Sequence, residues 1–355
     1  MPLIVSLLLV VLALASAAPA SAASVPPTFF GSKADGILAD PAAFAREAPV
    51  MVQAGVRSVR LSVYWSLIQP EPGPPGFATL DAHVAAAAQS GLELLPVVQG
   101  APDWAADDRS NPFSSPRDPR DFATFMRVLI ARYGPQGSLW AERPDLPRRP
   151  LRAWQIYNEP NLERYWSAQP YPRPYRRVLC AAYRAIHQAD RGAKVVMAGL
   201  ANDSWRAMRR LHDAGVRGCY DVAAVHPFSA RPSNSLKITR LNRQVIDRFG
   251  GRRKPIWLTE LTWPSAQGQL RDNLVGWETT PSGQAERLRL AYGLYVRNAS
   301  RLRLQRIYWH TWVTRDGNSE TPFEWSGLRR INPDGTIVDK PALGALRDVV
   351  RRYAR

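Results

Sequence analysis

Two glutamates stand at the ends of apolar, strand-like runs: Glu159 in "AWQIYNEPN" (153–161) and Glu260 in "PIWLTELTWP" (255–264). A lone carboxylate in such a setting is costly, because a buried unpaired charge either destabilises the fold or takes up a proton. Two that face each other are useful. Their repulsion raises the affinity of one for a proton while the other stays ionised. Glycosidic bond cleavage needs that division: one group protonates the leaving oxygen and the other attacks or stabilises the anomeric carbon.

The elements that must bring the pair together read as an alternation. Short β-branched and apolar runs at 28–34, 56–65, 92–98, 152–158, 193–200, 221–228, 255–261 and 306–312 predict eight strands. Helical periodicity fills the intervals at 41–54, 79–90, 119–133, 174–190, 203–214, 235–248 and 282–298, with a last helix at 341–353. Such alternation implies parallel strands and right-handed crossovers. Eight units predict an α/β fold of the (β/α)8 TIM barrel type, a single domain over 27–355 with insertions in its βα loops. A doubly wound sheet is the weaker reading, since neither G-x-G-x-x-G nor G-x-x-x-x-G-K follows a strand.

The spacing of the glutamates fits. A barrel of roughly 250 residues gives about 31 per βα unit, so three units span about 94. Glu159 and Glu260 are 101 residues apart. They then end strands four and seven, and the carboxyl ends of all strands converge on the face where this fold builds its active sites.

At this point the residues resemble a known group. Asn-Glu-Pro after strand four and Thr-Glu-Leu at strand seven look like clan A of the retaining glycoside hydrolases, which includes the family 5 cellulases and the family 39 xylosidases, and the likeness runs over roughly 27–350. The resemblance implies that Glu159 is the acid/base, Glu260 the nucleophile and Asn158 the donor to the sugar 2-hydroxyl. It also implies site roles for Arg60 late in strand two, His226 at the end of strand six and Trp309 at the end of strand eight. Where some family 5 members carry a Tyr two residues beyond that His, this chain has Phe228.

Tryptophan supplies a separate line. Trp65, Trp104, Trp263, Trp309 and Trp312 lie at or just beyond strand ends, where flat aromatic faces stack on pyranose C–H surfaces, so they are expected to line a carbohydrate cleft.

The first 22 residues read as a secretory signal: an apolar run from Leu3 to Ala15 interrupted by Ser6, then Ala20-Ser21-Ala22 as a cleavage site. A secreted, extracellular protein is expected, with an uncleaved anchor as the alternative. In that compartment Cys180 and Cys219 are free to pair, and sequence leaves open whether they do.

The formal charge is +17, and all but five of the 47 basic residues are Arg. Arginine appears scattered along the chain together with an Ala and Pro excess, and no basic block interleaves with aromatics. Nucleic acid is therefore not an expected partner; a solvated basic surface is, with electrostatic association with anionic cell-wall glycans the next reading. A carbohydrate substrate and a monomeric state are expected. There is no G-x-S-x-G elbow or H-E-x-x-H, and His83, His187, His212, His226 and His310 have no zinc-ligand spacing, so neither metal nor cofactor is expected. Two alternatives share the cleft: a carbohydrate-binding barrel without turnover, and a transglycosylase using the same residues.

Overall fold

Proline sets much of the frame. Six of the longer helices open on one at the first helical position, where the missing N–H is an orphan anyway and φ is already helical: Pro41, Pro119, Pro172, Pro232, Pro281 and Pro341. Asp40 caps the first of these, accepting from the amides of Ala42 and Ala43. Gly91, in the left-handed region at φ 79°, ends the helix Ala78–Ser90. The computed structural model describes residues 23–272 and 275–355. The expected leader, 1–22, lies outside them. Among the described residues no helix is long and apolar enough to cross a membrane.

Eight parallel strands follow the predicted alternation: β1 Phe30–Lys33, β2 Ser58–Tyr64, β3 Glu93–Gln99, β4 Ala153–Ile156, β5 Lys194–Val196, β6 Ala223–Val225, β7 Ile256–Leu261 and β8 Leu304–Trp309. They form one sheet in the order β5-β4-β3-β2-β1-β8-β7-β6. Its two ends meet through single parallel bridges, Val196 with Val222 and Leu200 with Val225, which bring the sheet round into a TIM barrel. The short β5 and β6 make this seam the sparsest of the wall. Leu95, Val196, Val222, Ala224, Trp257 and Tyr308 fill part of the barrel as their own packed cluster. The larger core lies between strands and helices. The last helix, Pro341–Tyr353, fixes itself there by burying Leu343, Leu346 and Val349, each contributing roughly 1.5–3 kcal/mol.

Two features go beyond the expected alternation. A three-stranded sheet, β9 Val313–Thr314, β10 Arg329–Ile331 and β11 Ile337–Asp339, sits in the connection from β8 to the last helix. Buried pairs hold it: Arg329 to Glu47 at 2.6 Å and Lys340 to Asp316 at 2.6 Å. Cys180, in the helix Pro172–Ala189, is disulfide-bonded to Cys219 in the turn before β6, with 4.6 Å between their Cα atoms. The bond closes a loop of 39 residues, whose loss of chain entropy in the unfolded state is worth about 3–4 kcal/mol. Cys180→Ser with Cys219→Ser should therefore lower the unfolding free energy read from urea titration by that amount, and the urea midpoint with it. Adding a reductant to the parent should shift its urea midpoint likewise, and should leave the double variant unmoved.

Candidate active site

The site is built where the chain leaves β4. Tyr157 continues the β3 pairing through its amide to Val98 O (2.9 Å), then the backbone turns sharply: Tyr157 and Glu159 both take positive φ, 60° and 43°. Such conformations cost roughly 1–2 kcal/mol each for a side-chain-bearing residue and persist where surrounding packing imposes them. Here the packing is visible. The Tyr157 ring is buried against Trp166 and Phe122, its hydroxyl donates to Ser114 O (3.0 Å), and the Glu159 amide donates to Gly199 O (3.0 Å). The turn presents Asn158 and Glu159 to the cleft above the barrel.

Glu260 arrives directly from β7. A carboxylate oxygen of Glu159, one of Glu260 and a ring nitrogen of His226 all lie within 4.8 Å of one another. Arg60, 1% exposed, ties three strands together here. Its guanidinium donates to Glu260 Oε1 (2.7 Å), to Asn158 Oδ1 (2.7 Å) and to Gln155 Oε1 (3.0 Å). Because Arg60 occupies the Asn158 oxygen, the Asn158 amide nitrogen remains as the donor.

His226 lies between the glutamates, with Nδ1 2.7 Å from Glu159 Oε1 and 3.8 Å from Glu260 Oε2, and Nε2 2.9 Å from Thr259 Oγ1. Gly199 makes room for it: a Cβ there would fall 2.0 Å from His226 Nε2. The sequence-predicted Glu159, Glu260, Asn158, Arg60 and His226 are thus brought together.

The tryptophan expectation is corrected. Trp65, Trp263, Trp309 and Trp312 are wholly buried and Trp104 is half-buried, and none lines the cleft. Each indole N–H is satisfied away from it: by Gln69 for Trp65 and Trp104, Ser229 for Trp263, Ser326 for Trp309 and Glu47 for Trp312. These rings seal the βα loops onto the barrel. The cleft, about 550 Å³, takes its aromatic wall from Tyr64, Phe113, Tyr165, Phe228 and Phe323 instead.

Three further side chains of the cleft escaped the sequence reading. Lys33, at the end of β1, sits 3.4 Å from Glu260 Oε1 and 3.1 Å from Asp35 Oδ2. Asp35 is oriented by the Ser62 amide and hydroxyl, both at 2.9 Å. His310, directly after β8, places Nδ1 3.2 Å from Glu260 Oε2. A lysine at a strand end in an arginine-rich chain was the available signal for the first; His310 was overshadowed by its neighbour Trp309.

The charges around Glu260 set its ionisation. Burial alone would raise Glu260, but Lys33, His226, His310 and Arg60 together override it and hold the group well below the usual carboxylate range. Burial, then the Lys33 charge, lowers His310 despite the opposing pull of Glu260. Glu159, His226 and Glu260 could in principle ligate a cation. The set fits poorly, because Glu260 already faces the Arg60 guanidinium and the Lys33 ammonium and Glu159 is engaged by His226.

No protein-family model and no curated protein matches this chain. Solved structures do. A monomeric β-xylosidase from Caulobacter crescentus CB15 superposes with a TM-score of 0.65 at 19% identity, covering 92% of this chain and 68% of that one. A GH39 enzyme from Xanthomonas axonopodis pv. citri gives 0.64 at 17%, covering 94% and 69%. The third, a GH5_18 variant from Streptomyces cattleya in complex with Manβ1-4GlcNAc, gives 0.64 at 19%, covering 91% and 80%. The fold is that of the TIM-barrel glycosidases. At this identity the likeness speaks for architecture, and it agrees with the clan A resemblance on that level; the chemistry rests on the side chains.

Proposed function

We propose that this protein is a secreted retaining glycosidase that cleaves β-configured O-glycosidic bonds of an oligo- or polysaccharide by double displacement. The observation that carries the reading is that one carboxylate oxygen of Glu159 and one of Glu260 lie within 4.8 Å of each other, which favours the closely spaced pair of about 5–5.5 Å that suits direct attack over the pair roughly 6.5–9.5 Å apart that houses a water.

The division of labour follows from the partners. Glu260, kept ionised by Arg60 and Lys33, attacks the anomeric carbon. Glu159 gives its proton to the departing oxygen, and His226, with Nδ1 2.7 Å from Glu159 Oε1 and Nε2 2.9 Å from Thr259 Oγ1, holds the resulting carboxylate in place. Water then enters, Glu159 removes its proton, and the bond to Glu260 breaks with a second inversion. The Asn158 amide nitrogen donates to the sugar 2-hydroxyl, a contact that tightens as the ring flattens. Export is supported by the apolar leader with its Ala-Ser-Ala site.

Proton NMR of the first product from an aryl β-glycoside tests the mechanism. Retained anomeric configuration is expected; inverted product would sink double displacement. Turnover should also survive EDTA, since neither step uses a metal. Loss on chelation, restored by one particular divalent ion, would count against the scheme.

A further inference from the structure

The basic excess is not spread evenly over the molecule. Residues 172–255 carry eighteen Lys and Arg against five Asp, so thirteen of the chain's seventeen net positive charges lie in that stretch. In the fold it is one continuous sector. The helices Pro172–Ala189, Ser204–Asp213 and Pro232–Arg248 follow one another along the outer wall, and the turns between them and β5, β6 and β7 lie at the amino-terminal end of the barrel, opposite the glutamate pair.

The five acids of the sector are already taken. Asp190 pairs with Arg152, Asp203 with Arg206, Asp213 with Arg209, Asp221 with His187 and Asp247 with Arg243. Exposed Arg217, Arg252 and Arg253 have none of these partners, and with Lys254 they line a shallow basin of about 670 Å³ between the turns at 214–219 and 249–255. Arg176 borders it, its Nε donating to Gly215 O (3.3 Å). Uncompensated like charges held this close repel one another, and a bound polyanion relieves that repulsion.

We infer that this basin and the sector around it bind an acidic polysaccharide, a glycan chain with repeated carboxylates, while the cleft at the opposite end faces away. Arginine predominates in the sector, and its planar fork suits carboxylates bidentately. The large hydrophobic side chains exposed among the described residues, Leu67, Val275, Leu290 and Val338, all lie outside the sector. It therefore lacks both an exposed apolar anchor for a bilayer and an exposed stacking platform for bases. The choice of a glycan over another polyanion rests on the proposed glycosidase activity.

The test is co-sedimentation of the full chain with insoluble polygalacturonate across a salt series, beside duplex DNA and vesicles containing phosphatidylglycerol. The parent should bind the glycan at low salt and release it as salt rises. The variant Arg217→Glu/Arg252→Glu/Arg253→Glu should bind on the order of a hundredfold more weakly, since each basic residue near a polyanionic surface contributes roughly fivefold. A control of equal charge change on other helices, Arg46→Glu/Arg127→Glu/Arg297→Glu, should lose far less. Both should keep the parent's turnover of a small neutral aryl glycoside. Arg252→Glu/Arg253→Glu serves if Arg217→Glu disturbs the turn it packs in.

Equal loss in sector and control variants would overturn the inference, leaving net charge as the cause. Tighter binding to DNA or vesicles than to polygalacturonate would overturn the glycan assignment. Glycan binding through the sector by a protein inactive on every glycoside would sink the proposed activity and leave the surface standing.

Discussion

Glu260→Ala should lose turnover on every glycoside, whatever the leaving group, by on the order of 10³-fold or more. The group that forms the covalent intermediate is gone, so a better phenol cannot compensate. The variant also leaves Arg60 and Lys33 facing a site without the carboxylate that neutralised them, so Glu260→Gln is the companion that keeps the volume. The sign of the pH effect follows from the depressed folded-state value of Glu260. Its contribution to stability is present above the unfolded value, about 4.3, and is lost as pH falls through the lower folded one. Urea unfolding of parent and Glu260→Gln should accordingly converge at strongly acid pH and differ at neutral pH. Steady-state kinetics on activated and unactivated substrates checks the first part; undiminished turnover in the variant would move the nucleophile elsewhere.

Glu159→Ala should behave differently, because it removes the proton donor and the later base but not the nucleophile. A dinitrophenyl glycoside, whose phenol leaves unprotonated, should still glycosylate Glu260 and then stall, while an alkyl glycoside should lose on the order of 10²–10⁴-fold, the usual worth of general acid catalysis. Azide needs no base to attack, so it should restore turnover and release a β-glycosyl azide if the natural bond is β. A burst of phenol followed by azide-dependent turnover is the expected record. Equal losses on both substrate types in both variants, with no rescue, would require abandoning the assigned roles.

Much of the architecture was legible in the sequence. Alternating apolar periods mark strands and helices locally, and proline at the first helical position stamps the helix starts. The constant length of a βα unit turned 101 residues into a placement on strands four and seven, because a parallel barrel brings all strand ends to one face whatever the loops do. Arg60, Asn158 and His226 were named through the clan A resemblance, applied to strand ends that the alternation had already placed.

Side-chain direction was not legible. Trp309 and His310 are neighbours at the end of β8, yet the indole is buried with Ser326 as its acceptor while the imidazole reaches the cleft and Glu260. Which of two adjacent residues points inward depends on how the loop folds back, and no local period records that. The small sheet of β9, β10 and β11 escaped because strands of two or three residues are too short to show alternation. The disulfide depended on a distance across the fold. Sequence by itself therefore determined the barrel and the two glutamates, since both follow from short-range pattern and repeated spacing. Only the tertiary structure decided that Lys33 and His310 close around Glu260 and that the tryptophans seal loops, because each of these is a matter of which distant surfaces meet.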